Sequence, residues 1–260
     1  MLALGDHVQV DLGDVVTSTL EPTADGAEWF VHRIDGWAAA SQRDTRFDPT
    51  SGPGTLRPRA IYGGRSLEVH GLVEAPTRTA AWDAYYRCTG ALPGIQGAMD
   101  LVVHEEPVKR LRVVQDGPPE VGEPVNGAFE FTLKLLAEYP FKRELAAVTI
   151  PVLAGATVEH TAAGKAPAEI EVTLTSAGSV DLTIGQLRLR ASSLPSGAVL
   201  TSGPGFARPK RTIRSALPAN SNLFSHIVQP MQWPAIAPGD NTIHQAGTAG
   251  LSIRYFPTYP

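Results

Sequence analysis

The stretch from Gly127 to Glu144, GAFEFTLKLLAEYPFKRE, constrains the fold of this chain more than any other part of it. Its apolar residues, such as Phe129, Phe131 and Leu133, alternate with polar ones, which is the period of a strand with one buried face. Pro140 ends the pattern, because proline has no N–H for a ladder and keeps the preceding residue extended. We therefore predict a long strand that closes one domain and leads into a second.

The charge balance changes directly after this strand. Residues 1–143 contain 20 Asp and Glu against 14 Lys and Arg, a net charge of −6, whereas residues 144–260 contain 6 against 8, a net charge of +2. The second part is also rich in Thr, Val, Ala and Gly. We predict two domains of ordinary size, 1–143 and 144–260, with a seam within residues 138–150.

The whole chain has the character of a mainly β protein. Its 25 glycines and 22 prolines suit many short strands joined by turns. Within the strand predicted over Ile61–Pro76, Gly71 indicates a β-bulge. Further strands are predicted at 4–20, 28–37, 98–104, 109–116, 148–153, 168–175, 180–184, 186–191 and 221–228, followed by two closing strands.

A single helix interrupts these strands at residues 77–89. Thr77 or Thr79 can cap it, and its apolar residues recur at three- and four-residue spacing. We expect the side of the helix that carries Trp82 and Tyr85 to pack on the sheet of the first domain.

Two motifs resemble functional sites, but each has a simpler structural explanation. His104-Glu105-Glu106 places three metal-ligand types side by side, yet neighbouring residues of a strand point to opposite faces. Tyr62-Gly63-Gly64-Arg65 is glycine-rich but precedes a strand, which does not suit a phosphate-binding loop. The other histidines lack ligand spacing, and no G-x-S-x-G motif is present.

We therefore assign no catalytic, cofactor-binding or metal-binding residue, and we predict that the protein is not an enzyme and needs no cofactor. A pair of carboxylates for glycoside hydrolysis stays open, since any two could meet in space.

Three features bear on binding. Residues 41–60 form a long Arg-, Asp-, Gly- and Pro-rich segment, which is typical of a loop that binds something or moves. Trp233 precedes the turn sequence PGDN at 238–241; we favour a core tryptophan, with sugar stacking as the alternative. A basic cluster, which we interpret as a solvated or interface loop and not a nucleic-acid site, is formed by Arg208, Lys210, Arg211 and Arg214.

The cysteine content and the N-terminus bear on location. Cys88 is the single cysteine, so an internal disulfide framework and a cysteine-based metal cluster are excluded, and we interpret it as a small buried hydrophobe. No apolar run approaches the ~20 residues of a membrane span, and the N-terminus lacks the pattern of a secretory signal. We predict a soluble protein that is made in a cytoplasm.

Three groups of segments, which follow one another along the chain, resemble sequence patterns of the distal tail protein (Dit) family of long-tailed, non-contractile bacteriophages. The family patterns that they resemble are Y-G-G-R-x-(I/L)-x-(L/V)-x-G, (D/E)-P before the domain junction, and W-x-x-L-x-P-G-x-N. The segments are IYGGRSLEVHGLVEAP with TRTAAWDAYYRCTGAL, FTLKLLAEYPFKRE, and WPAIAPGDNTI leading to LSIRYFPTY. The resemblance covers essentially the whole chain, although Glu138-Tyr139-Pro140 replaces the usual Asp-Pro and Ile236-Ala237 fills the slot before Pro-Gly.

The resemblance implies two β-sandwich domains, a ring-forming belt domain with one α-helix and a galectin-like domain outside the ring. It implies a virion protein of the tail tip or baseplate, made in the host cytoplasm, whose homo-hexameric ring joins the tail tube to the tail hub and lets DNA pass. The implied partners are the tail-tube protein, the hub and tail-associated proteins, and the tape measure. The alternatives are a carbohydrate-binding module for host-surface glycans and a hydrolase of cell-wall glycans.

Overall fold

A computed structural model describes residues 9–12, 16–17, 26–38, 42–43, 61–62, 64–91, 98–137, 139–201, 213–215, 227–229 and 233–260. The chain divides into two compact units, Met1–Lys142 with Pro260, and Arg143–Tyr259. The described residues are mainly β, as the sequence predicts, and contain one helix. In this part of the chain, no helix has both the length and the apolar character that a membrane crossing requires.

The first unit is built on an antiparallel sheet with the order β2-β1-β7-β8-β10-β6-β3, in which β9 also pairs with β10. Strands β4 and β5 form a separate pair, and helix α1 (Arg78–Ala91) connects β6 to β7. The strands are β1 (Val10–Leu12), β2 (Val16–Thr17), β3 (Glu28–Asp35), β4 (Gln42–Arg43), β5 (Ile61–Tyr62), β6 (Arg65–Glu74), β7 (Met99–Val103), β8 (Lys109–Gln115), β9 (Glu120–Val121) and β10 (Ala128–Ala137).

Strand β10 is the long strand that the sequence predicts. It pairs with β6 in unbroken register from Ala128 opposite Glu74 to Ala137 opposite Arg65. Its alternate side chains are buried in the core, as the period-2 pattern predicts; they are Phe129, Phe131, Leu133, Leu135 and Ala137. The strand ends at Ala137, just before the Tyr139-Pro140 pair.

The prediction of a bulge at Gly71 is wrong. Strand β6 is continuous there, and the register shift lies on the partner strand β3 between Val31 and Arg33. The position requires a glycine for a steric reason. A Cβ at Gly71 would overlap the ring of Phe131 and lie 2.6 Å from the carbonyl oxygen of Phe30. Gly71 therefore makes room for an aromatic ring across the sheet.

The helix begins as the sequence predicts, and the side that packs on the sheet carries mostly small residues. The Thr77 hydroxyl accepts a hydrogen bond from the Ala80 N–H at 3.1 Å, which caps the first turn. The fully buried positions are Ala81, Ala84 and Cys88, a stripe of small residues. Small side chains let the helix approach the sheet closely, so the larger residues flank this contact.

The aromatic residues of α1 lie beside this stripe and contact one another. The rings of Trp82, Tyr85 and Tyr86 are 5.3 to 5.8 Å apart. Tyr85 packs against the core and meets Phe129 at 5.9 Å, as expected, whereas Trp82 is half-buried and Tyr86 is 63% exposed. The expectation that Trp82 packs on the sheet is wrong.

The second unit is a β-sandwich. One sheet has the order β12-β22-β14-β17-β18, with β20 on β14, and the other has the order β13-β21-β15-β16-β19; β11 pairs with β23. The strands are β11 (Lys142–Glu144), β12 (Val148–Val152), β13 (Thr157–Ala162), β14 (Ala168–Leu174), β15 (Gly178–Ile184), β16 (Leu187–Leu194), β17 (Ala198–Thr201), β18 (Ile213–Ser215), β19 (Ile227–Gln229), β20 (Ala235–Ile236), β21 (Gly239–Gln245), β22 (Leu251–Tyr255) and β23 (Thr258–Tyr259). Both sheets contribute to one aliphatic core.

Candidate functional site

One face of the β3–β6–β10 sheet carries a row of charged and polar side chains. Alternation places them there, because residues 67 and 69 of β6 point into the core and residues 68 and 70 point away from it. Antiparallel register then aligns positions from four strands. We call this row the polar strip; it consists of Arg33, Asp35, Glu68, His70, Glu120, Thr132 and Lys134.

Two ion pairs lie at the ends of the polar strip. The Arg33 guanidinium donates from Nε to Asp35 Oδ1 at 2.8 Å, and this hydrogen bond is the main cause that lowers the pKa of the Asp35 carboxyl. At the other end Lys134 donates to Glu120, whose pKa is lowered chiefly by that hydrogen bond. Both pairs are solvent-exposed, so each contributes little to folding stability.

His70 lies in the middle of the strip and is held on one side. Its Nδ1 is 3.0 Å from the Thr132 hydroxyl oxygen. Its Nε2 is 3.3 Å from Asp35 Oδ2 and 3.6 Å from Glu68 Oε2. His70 is one of the histidines that lack ligand spacing in the sequence, and the available signal was weak: Glu68 and His70 are two residues apart on one strand, while Asp35 comes from another strand.

A second group of charges is buried in the first unit. Arg65 is 2% exposed; its Nη1 donates to the Trp37 carbonyl oxygen at 3.1 Å, while its buried Nε and Nη2 have no hydrogen bond to a residue that the structure describes. The Lys142 ammonium lies 5.0 Å above the Trp37 ring. Glu105 accepts from Trp37 Nε1 at 3.2 Å and pairs with Lys109 at 3.1 Å.

Burial lowers the pKa of two cations of this group. Desolvation lowers the pKa of the Arg65 guanidinium and is also the largest cause that lowers the pKa of Lys142. The positive charges of Arg65 and Lys109 lower the pKa of Lys142 further, and Glu105 opposes them. The cations are therefore concentrated in a region where charge is expensive to maintain.

The two motifs that resemble functional sites in the sequence do not form sites in the structure. His104 Nε2 lies 2.8 Å from Asp11 Oδ2, whereas Glu105 belongs to the buried charged group around Trp37. Arg65, the last residue of the glycine-rich motif, opens β6 with its guanidinium buried, and Gly63 lies outside the described residues. These residues do not form a common site.

The turn before β21 forms as the sequence predicts. Asn241 is 6% exposed; its Oδ1 accepts from the Ala237 N–H at 3.0 Å, and its Nδ2 donates to the carbonyl oxygens of Ala237 and Gly239. Gly239 has a φ of +84°, a conformation that favours glycine. Trp233 is partly buried against the core of the second unit, which agrees with the interpretation as a core residue.

Cys88 is buried, as interpreted, and burial raises the pKa of its thiol to about 12. Two predicted binding features fall outside the described residues. These are most of the loop 41–60, of which only 42–43 are described as β4, and the basic cluster, of which the structure describes only the backbone of Arg214 in β18.

Neither a family model nor a curated protein matches the chain. Among solved structures, it is similar to the Dit (gp 19.1) protein of phage SPP1, described as a paradigm of the hub adsorption apparatus in phages that infect Gram-positive hosts. The two chains are 14% identical, and the match covers 89% of this chain and 94% of that chain with a TM-score of 0.63.

Two structures of the phage P2 baseplate in its activated conformation also align. The one with Ca is 7% identical, with 87% of this chain and 90% of that chain covered and a TM-score of 0.49. The one with Sr is 8% identical, with the same coverage and a TM-score of 0.48. The similarity to the SPP1 protein shows that the chain has the fold of a phage distal tail protein, as the sequence resemblance implies.

Proposed function

We propose that this chain is a structural component of a phage tail tip, a distal tail protein whose copies close into a hexameric ring between the tail tube and the tail hub. The observation that carries the proposal is the fold shared with the SPP1 Dit protein, which covers 89% of this chain and 94% of that chain and so includes both units. Such a role requires binding surfaces and no catalysis.

The first domain, residues 1–143, forms the ring, and the galectin-like second domain, residues 144–260, lies outside it. A closed ring needs a heterologous interface, in which one patch of a subunit meets a different patch of the next. The described sheet of the first unit supports this, because its order ends in two different strands, β2 and β3. Two unlike edges offer two unlike patches.

Charge supports the passage of DNA through the ring. A conduit must not hold the nucleic acid, and each Lys or Arg that contacts a phosphate adds salt-sensitive affinity. The net charge of −6 over residues 1–143 fits an electronegative lumen, while the +2 of residues 144–260 fits a domain that meets other proteins.

The exposed aromatic side of α1 supports protein contacts. Tyr86 is 63% exposed beside the half-buried Trp82. Aromatic residues are enriched in the buried centres of protein interfaces, where they contribute much of the binding energy. We therefore assign this helix face to a contact within the tail tip.

The mass of the purified full-length chain tests the ring. We expect six-fold particles by native mass measurement and by electron microscopy, or their appearance when the tail-tube and hub proteins are added. Antibodies against the chain should label the tips of phage tails. A chain that stays monomeric with both neighbours present, or labelling along the tail shaft or the capsid, would contradict the proposal.

Direct assays test the two alternative functions, a carbohydrate-binding module and a hydrolase. Binding on a glycan array that is lost in Trp233→Ala would favour a carbohydrate-binding module. Release of reducing sugar from host cell walls would favour a hydrolase. The partial burial of Trp233 against the core leaves less of its ring free for sugar stacking, so we do not expect the glycan-binding result.

A further inference from the structure

The strongest unassigned feature of the first unit is the group formed by Asp35, Glu68 and His70 in the polar strip. One nitrogen and two carboxylate oxygens of these side chains lie within 4.8 Å of one another. We infer that this group is a binding site for a divalent transition-metal ion of the zinc type. This site is independent of the tail-tip role proposed above.

The distances suit such an ion. His70 Nε2 is 3.3 Å from Asp35 Oδ2 and 3.6 Å from Glu68 Oε2. Tetrahedral zinc with ligands at about 2.0–2.2 Å separates neighbouring ligand atoms by roughly 3.4 Å. The His70 nitrogen is therefore at about zinc-ligand spacing from both carboxylates, and all three ligand atoms lie within 4.8 Å of one another.

The state of His70 supports the same conclusion. Its Nε2 is buried from solvent and lies at ion-pair distance from two carboxylates. Its Nδ1 is 3.0 Å from the Thr132 hydroxyl oxygen. In the tautomer with the proton on Nδ1, that N–H donates to Thr132 and the lone pair of Nε2 points between the carboxylates. Histidine ligands of metals are commonly oriented by such a hydrogen bond on the second nitrogen.

Neighbouring charges orient the carboxylates and moderate the affinity. Arg33 donates from Nε to Asp35 Oδ1 at 2.8 Å, and Asp35 Oδ2 lies 3.3 Å from His70 Nε2. Arg33 Nη2 also lies 2.6 Å from Oδ2, and the positive charge of Lys134 acts on Glu68. Two nearby cations weaken the attraction for a divalent ion, so we expect binding at micromolar concentrations and not a tight structural site.

Ligand chemistry selects among divalent ions. An imidazole nitrogen suits zinc and related transition metals, whereas calcium takes oxygen ligands, usually six to eight of them. We therefore expect zinc to bind at least about tenfold more tightly than calcium.

The test uses the full-length chain, freed of metals by a chelator and titrated with ZnCl₂ at pH 7.5 in an isothermal calorimeter. We expect saturation near one zinc per chain and a higher melting temperature when zinc is present. His70→Gln and Glu68→Gln should each weaken binding at least about tenfold and abolish the rise in melting temperature. Asp35→Asn serves in the same way if either variant folds poorly.

The matched control is His104→Gln. His104 is also a half-buried histidine of the first unit, but its Nε2 faces a single described carboxylate, Asp11, at 2.8 Å. We expect zinc binding unchanged in this variant. The inference is overturned if no saturable zinc binding occurs, if His70→Gln leaves binding intact, if His104→Gln weakens it equally, or if calcium binds as tightly as zinc.

Discussion

The two units of this chain bury polar groups in different ways. The second unit buries neutral side chains such as Asn241 and Gln245, each of which hydrogen-bonds to nearby backbone groups. Its buried cation Arg143 is paired with Glu169 at 2.7 Å. The first unit instead buries Arg65 with two nitrogens that have no hydrogen bond among the described residues, close to the buried cation Lys142.

Burying an unpaired polar group costs free energy, and burying a charge costs more. The buried polar side chains described in the second unit are therefore satisfied by hydrogen bonds or an ion pair. The first unit has buried charges that stabilise it less. We expect the two units to respond separately to changes of their buried side chains.

The largest effect is expected for Phe131→Ala in the first unit. The change removes a buried ring that packs over Gly71 and meets Trp29 at 5.4 Å. Loss of such a side chain costs about 3–5 kcal/mol. In scanning calorimetry we expect the transition of the first unit to move to lower temperature, while a second transition, from the other unit, stays in place. Phe131→Leu should lower the temperature of the first transition by less. A single transition that moves as a whole would show that the two units unfold together.

In the second unit, Asn241→Ala should have the next largest effect. It removes the three hydrogen bonds that the buried Asn241 side chain makes to the turn before β21, which should lower the free energy of unfolding by about 1–3 kcal/mol. Chemical denaturation measures this change in the free energy of unfolding. Thr242→Ala, on the exposed side of the same strand, is the control and should change stability by less than about 0.5 kcal/mol. Equal effects of the two changes would contradict the role of Asn241.

On the helix, Trp82→Ala should cost less than about 1 kcal/mol in the free protein, because the side chain is half-buried beside the contact with the sheet. Ala84→Leu should cost more, about 1–3 kcal/mol, because it adds volume to a fully buried position. The melting temperatures of both variants check this. A larger loss for Trp82→Ala would mean that the tryptophan, and not the small-residue stripe, holds the helix.

The smallest effect near neutral pH is expected for Cys88. Burial raises the pKa of its thiol from 9.0 to about 12, so the folded state holds the proton more tightly than the unfolded state. This stabilisation is complete below about pH 9 and is lost as the pH rises from there toward 12. The stability difference between the wild type and Cys88→Ala should thus be constant up to about pH 8 and shrink above pH 9. A difference that stays constant to pH 10.5 would show that the thiol is accessible.

Much of the fold was predictable from the sequence, because the relevant signals are local. The alternation from Phe129 to Leu135 predicts the long central strand and its buried face, since side chains along a strand alternate in direction. The PGDN turn follows from the backbone freedom of Gly239 and the side-chain hydrogen bonds of Asn241. The resemblance to distal tail proteins, carried by three short segments, predicts the fold that the SPP1 structure shares.

Other features depended on which side chains meet across elements, and this only the tertiary structure decided. Helical spacing placed both the aromatic residues and the Ala81, Ala84 and Cys88 stripe on faces of α1, but the distance to the sheet selected the small ones. A glycine inside a strand, such as Gly71, is typical of a bulge. In the structure, however, this position is a glycine because the ring of Phe131 on the next strand leaves no room for a side chain. Asp35 joins Glu68 and His70 only through the register of β3 on β6, including the shift beside Val31. One residue of slippage would turn each of these side chains to the opposite face, which is why the sequence alone could not bring them together.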